Sequence, residues 1–113
     1  MKNEHKIIIN HNAVIAIDGK YKSVVELKKG EKWNTKLGVV MALAKFTRKD
    51  LYDILCTIKN PGKETVDCVS DMLRMSSGDK RRIKTFKWYQ DAIKVKRPEP
   101  GKQVTIDITY EEA

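Results

Sequence analysis

The dipeptide Asp18-Gly19 constrains the fold more than any other pair in the chain. An Asp-Gly step supplies the backbone angles that a tight hairpin turn needs. It lies between two runs that suit strands. The run ahead of it, Asn12–Ile17, is apolar and β-branched. The run behind it, Tyr21–Leu27, alternates: Tyr21, Ser23, Val25 and Leu27 fall on one face, and Lys20, Lys22, Val24, Glu26 and Lys28 on the other. Such alternation predicts a strand with one mostly covered face. Lys6–Asn10 reads as a further short strand, so the N-terminal region is a β-hairpin or a three-stranded meander, closed by the charged turn Lys28-Lys29-Gly30-Glu31.

The far end of the sequence repeats the pattern. Val104, Ile106, Ile108 and Tyr110 alternate with Thr105, Asp107 and Thr109, which predicts a half-buried strand with an acidic end at Glu111 and Glu112. The breaker Arg97-Pro98-Glu99-Pro100-Gly101 precedes it.

Between these ends the period changes to that of helices. Asn34 is a good N-cap, followed by Leu37, Val40, Met41, Ala44 and Lys45 at three-four spacing. Gly38 and Ala42 lie one turn apart and permit close packing. Thr47-Arg48-Lys49-Asp50 has the form of a capping box and opens a helix carrying Leu51, Ile54, Leu55 and Ile58, ended by Asn60-Pro61-Gly62. Glu64–Met75 is helical through Val66, Val69, Met72 and Leu73. After Ser76-Ser77-Gly78, Asp79 is placed to cap a helix over Lys80–Val95, with Ile83, Phe86, Tyr89 or Gln90, and Ile93 as its apolar stripe. An extended strand over Ile83–Tyr89 is the alternative. The predicted class is therefore α+β: an antiparallel sheet of about four strands, N-terminal meander plus C-terminal strand, packed against three or four helices.

The chain has 113 residues, 41% hydrophobic and 34% charged, which suits a single domain over residues 1–113 with a modest core. A core of that size is marginal, so a homodimer through the meander's unpaired edge fits the composition. Met1–Lys6 is polar and the apolar run Ile7–Ile9 is short, unlike a signal peptide. No stretch approaches the roughly eighteen apolar residues of a membrane span, so no membrane partner is expected. Two cysteines, Cys56 and Cys68, then read as reduced thiols on apolar helical faces. These features together predict a cytoplasmic protein.

Residues 13 to 46 read AVIAIDGKYKSVVELKKGEKWNTKLGVVMALAKF. The order Asp18-Gly19, Lys22 with Val24-Val25, Gly30-Glu31, Trp33-Asn34, Gly38 and Met41-Ala42-Leu43-Ala44-Lys45 resembles a family of small uncharacterised proteins encoded by phages and integrative elements of Gram-positive bacteria. The resemblance implies a source, and with it the cytoplasm of a bacterial host. It carries no chemistry. Proteins of that source often act against host defence, by binding a CRISPR effector or by sequestering a nucleotide signal.

The charge is more informative. The net charge is +8, and the stretch Lys80–Arg97 holds eight cations (Lys80, Arg81, Arg82, Lys84, Lys87, Lys94, Lys96, Arg97) against one anion, Asp91. That stretch alone contributes +7 and leaves +1 for everything else. Such a concentration attracts anionic partners. Arg and Lys suit phosphates through counterion release, and Trp88 or Tyr89 can supply a flat face for a base. The bland alternative is a solvated helix whose aromatics complete the core. Trp33, just ahead of the Asn34 cap, suits a hydrophobic staple, with ligand stacking as its alternative.

The remaining constellations are thin. His5 and His11 have no acid or Cys at a metal-ligand spacing. No serine or cysteine sits in a nucleophile motif. Asp67 and Asp71 lie one turn apart and read as a solvated pair. The glycines are isolated, which excludes a Walker loop. The expectation is a non-enzymatic protein without cofactor or metal, a phage counter-defence binder of the anti-CRISPR or nucleotide-sponge type. Its basic patch, Lys80, Arg81, Arg82, Lys84, Lys87, Trp88, Tyr89, Lys94, Lys96 and Arg97, binds an anionic partner: nucleic acid, a nucleotide or an acidic protein surface. A nucleic-acid-binding accessory protein of phage replication or regulation is the alternative.

Overall fold

The computed structural model of the chain describes residues 4–58, 60–76 and 87–109. Three consecutive strands, β1 (His5–Asn10), β2 (Ala13–Asp18) and β3 (Tyr21–Glu26), form an antiparallel meander. Three helices follow: α1 (Thr35–Thr47), α2 (Lys49–Thr57) and α3 (Lys63–Ser76). A short helix, α4 (Lys87–Ile93), leads to the last strand, β4 (Gln103–Asp107). β4 pairs antiparallel with β1, giving the sheet order β3-β2-β1-β4. The α+β class and the return of the last strand to the meander stand as the alternation predicts. Gly19 takes φ +64° at the first hairpin, the conformation that suits glycine.

Register decides which residues make the core. Ile7 pairs with Ala16 and Ile9 with Val14, all four are buried, and the helices lie on that face. Ile8, paired with Ile15, belongs to the opposite face because strand side chains alternate. α1 packs on β2 and β3 and also touches α2, α3 and α4. Its approach to the sheet is close: a Cβ added at Gly38 would come within 2.7 Å of Val14 Cγ2. Ser23, buried on β3, donates its hydroxyl to the Ala42 carbonyl at 2.6 Å. The Asn34 side chain caps α1 by accepting from the Leu37 N–H at 3.1 Å.

Several expectations need correction. α2 has Arg48 as its N-cap with no side-chain cap bond from that residue, and the Thr47 side chain of the expected capping box lies outside the described residues. Asp50 instead accepts from the Arg48 guanidinium, Nε to Oδ1 at 2.7 Å, and this hydrogen bond holds its carboxyl down to about 2. Cys56 and Cys68 are free and exposed rather than core-packed. Leu51 and Leu55 on α2, and Val66 and Val69 on α3, take the inward positions and turn the neighbouring thiols outward. Ile54, Ile58 and Met72, assigned to apolar stripes, are exposed for the same reason. The β3 edge carries a guard: Lys45 Nζ donates to the Val24 carbonyl at 3.1 Å and sits 5.3 Å from the Tyr52 ring centre. A cation on an outward carbonyl blunts a strand edge against pairing. Among the described residues no helix is long and apolar enough to cross a membrane. The Asp79 cap, residues 80–86 of the expected fourth helix, and Tyr110, Glu111 and Glu112 lie outside the described residues.

Candidate nucleic-acid interface

The basic stretch divides into parts with different fates. Lys80, Arg81, Arg82 and Lys84 lie outside the described residues. Trp88 and Tyr89 are core residues, 4% and 2% exposed, with their rings edge to face 6.1 Å apart. Tyr89 Oη shares a 2.7 Å hydrogen bond with the buried Ser70 hydroxyl. Neither ring offers a face to a ligand, so the stacking role expected of them is corrected. The apolar stripe of α4 runs through Trp88, Tyr89 and Ala92, because a helix lying on α1 and β4 turns this side inward. The inward side thus includes Trp88, and Tyr89 rather than Gln90.

The cations on the opposite side of α4 and beyond it are outward. Lys87, Lys94, Lys96 and Arg97 are all exposed, and among the described residues none pairs with a carboxylate. After α4 ends at Ile93, the chain from Lys94 to Pro98 is a strap tied down at four points. The Thr35 hydroxyl donates to the Val95 carbonyl at 2.7 Å and accepts from Trp33 Nε1 at 2.7 Å. The Arg97 guanidinium lies 5.4 Å from the Trp33 ring centre. Its Nε donates to the His11 carbonyl at 2.8 Å and its Nη2 to Asn12 Oδ1 at 3.2 Å. His11 Nδ1 donates in turn to the Pro98 carbonyl at 2.9 Å. Every acceptor that Arg97 uses is neutral, so its charge is held in place but not cancelled. Trp33 is half-buried against the core and carries the Arg97 guanidinium over its ring, a contact within the chain and distinct from the ligand stacking raised for it.

Next to the strap, at the β1–β2 turn, is a cleft of about 790 Å³ lined by Asn10, His11, Asn12, Glu26, Lys102 and Gln103, among others. Its shape comes from local chemistry. Asn10 Oδ1 accepts from the Asn12 and Ala13 N–H groups at 3.0 and 2.8 Å, folding the turn on itself. Lys102 makes an exposed ion pair with Glu99 at 3.5 Å, of a kind that contributes little. These residues carry no motif. The signal for them was the polar run Asn10-His11-Asn12 between two apolar strands, which marks a turn but not a site.

Other candidates resolve structurally. Asp67 is ion-paired with Lys36, and His5 is hydrogen-bonded to Asp18. A groove of about 760 Å³ lies between β3 and α2, with Met41, Tyr52, Leu55 and Ile58 in its walls together with Lys28, Lys29 and Glu31. The Tyr52 hydroxyl there is pushed up by its hydrogen bond with Cys56 and by burial. Among the described residues no cluster of His, Cys, Asp and Glu could hold a metal. Compared with family models, with curated proteins and with solved structures, the chain matches none.

Proposed function

We propose that this protein acts by occupancy, docking a phosphate-bearing partner on its basic stretch, of which Lys87 and the Lys94–Arg97 strap are the described part. One observation carries the reading: four exposed cations, Lys87, Lys94, Lys96 and Arg97, face solvent without a carboxylate partner among the described residues. A folded body that fixes Arg97 through neutral acceptors keeps a localised positive field, and such a field steers and holds phosphates. The residues expected to stack on bases are in the core, so the affinity comes from charge first. The resemblance of residues 13–46 to phage and integrative-element proteins supplies the setting, a counter-defence inhibitor that blocks a nucleic-acid-bearing effector or withholds a nucleotide signal.

The test is fluorescence anisotropy with a labelled single-stranded oligonucleotide, run on the wild type and on the variants Lys94→Glu/Lys96→Glu and Arg81→Glu/Arg82→Glu, with polyglutamate as a competitor. Charge reversal in either pair weakens oligonucleotide binding at least tenfold if the surface is the docking site. Equal binding by all three proteins removes it. Displacement by polyglutamate at equal charge concentration assigns the surface to acidic protein instead.

A further inference from the structure

We infer that the polar cleft at the β1–β2 turn seats the base and sugar of one nucleotide while the adjoining strap holds its phosphate; this rests on the docking surface proposed above. The two features are one continuous structure. Arg97 is bonded to the His11 carbonyl and the Asn12 side chain, and the His11 ring is bonded to Pro98, so the cleft wall and the strap share their anchors.

The cleft offers the mixed hydrogen-bonding set that a base edge requires. A carbonyl only accepts, so the His11 bond to Pro98 places a proton on Nδ1. In the neutral ring Nε2 is then an acceptor. Asn10 spends its oxygen on the turn, so its amide N–H groups are what it can donate. Gln103, on the exposed side of β4, has both amide functions to offer. Glu26 adds a carboxylate, which accepts from exocyclic amines or a ribose hydroxyl. The volume, about 790 Å³, lies within the range of small-ligand sites.

Charge sets the orientation. The cleft lining holds one carboxylate, Glu26, and one ammonium, Lys102, which is paired with Glu99, so the cleft has no surplus of positive charge, whereas Lys94, Lys96 and Arg97 on the strap concentrate it and favour phosphate. A nucleotide therefore enters with its base toward Asn10, His11 and Gln103 and its phosphate toward Arg97. The guanidinium plane of Arg97, supported from below by Trp33, is available as a stacking surface at the junction.

The experiment is an NMR titration of the ¹⁵N-labelled full chain with three probes: an oligodeoxynucleotide, an abasic strand of the same length, and a set of nucleoside monophosphates. Expected are shifts at Lys94–Arg97 with both strands, but shifts at Asn10–Ala13 and Gly101–Gln103 only where bases are present. The substitution Gln103→Ala, outside the strap, weakens the oligodeoxynucleotide about tenfold and leaves the abasic strand unchanged. Monophosphates that reproduce the cleft shifts identify a free nucleotide as the occupant; shifts that need a strand identify a polymer. Equal binding and equal shifts with the abasic strand overturn the cleft assignment and leave the docking surface standing. Failure of both strands and of the monophosphates to bind overturns both.

Discussion

The two sides of α1 are built on different principles. On the sheet side the fit is by shape: Gly38 lets the helix approach until Val14 fills the space a Cβ would need. At its N-terminus α1 meets the strap through polar links, Trp33 to Thr35 to Val95, and the strap is in turn bonded to the β1–β2 turn, Arg97 to His11 and Asn12. The apolar side fixes the fold and leaves nothing to offer a partner. The polar side fixes backbone and one guanidinium, and leaves Lys94, Lys96 and the Arg97 charge outward. Stability and recognition can therefore be changed separately.

The largest effect that tests this separation is Trp88→Ala. It removes a buried aromatic at 4% exposure and costs about 3–5 kcal/mol in chemical denaturation. A stable Trp88→Ala protein that no longer binds would return Trp88 to the ligand surface. Thr35→Val is next: it breaks both hydrogen bonds of the strap anchor and costs about 1–3 kcal/mol. Hydrogen exchange should then quicken at the strap amides while the β1–β2 ladder keeps its protection; equal quickening in both would merge the two regions into one. Gly38→Ala probes the apolar side. Overpacking against Val14 outweighs the better helix propensity of Ala, for a net destabilisation of about 1–2 kcal/mol. The same change in a Val14→Ala background should be neutral or better, which denaturant midpoints will show.

The smallest effect is at Asp50, which belongs to neither region. Its folded carboxyl is held at about 2, below its ordinary value of 3.8, so the Arg48 pair contributes above 3.8 and fades as pH falls through about 2. Asp50→Asn should lower the melting temperature slightly at pH 6 and not at pH 2. An equal difference at both pH values would mean that the pair is not its cause. The pair lies at the surface, with Asp50 exposed, and added salt should erase the effect.

The sheet was legible because strand alternation and turn chemistry are local: Asp18-Gly19 and the Val104–Ile108 pattern state their structure within a few residues. The helical middle was legible in position but less so in orientation. Spacing alone did not separate Leu55 from Cys56, or Tyr89 from Gln90, because adjacent helical residues differ by about 100° and the neighbour that settles the choice is distant in sequence. At the capping box expected over Thr47–Asp50, spacing did not reveal that Arg48 takes the Asp50 carboxylate. The concentration of charge was visible, but not that its aromatics belong to the core. Nor could the sequence join Arg97 to Trp33 and His11, since those interactions arise only after β4 pairs with β1 and carries the strap past the β1–β2 turn.

The most direct measurement is the salt dependence of oligonucleotide affinity for the wild type and Lys94→Glu/Lys96→Glu, each with its unfolding curve. The log–log slope of the variant should be shallower by about 1.4 or more, roughly 0.7 for each phosphate of a single strand that is no longer neutralised, while its stability stays within about 0.5 kcal/mol of the wild type. An unchanged slope, or a variant that unfolds as its binding disappears, would contradict the separation of recognition from fold.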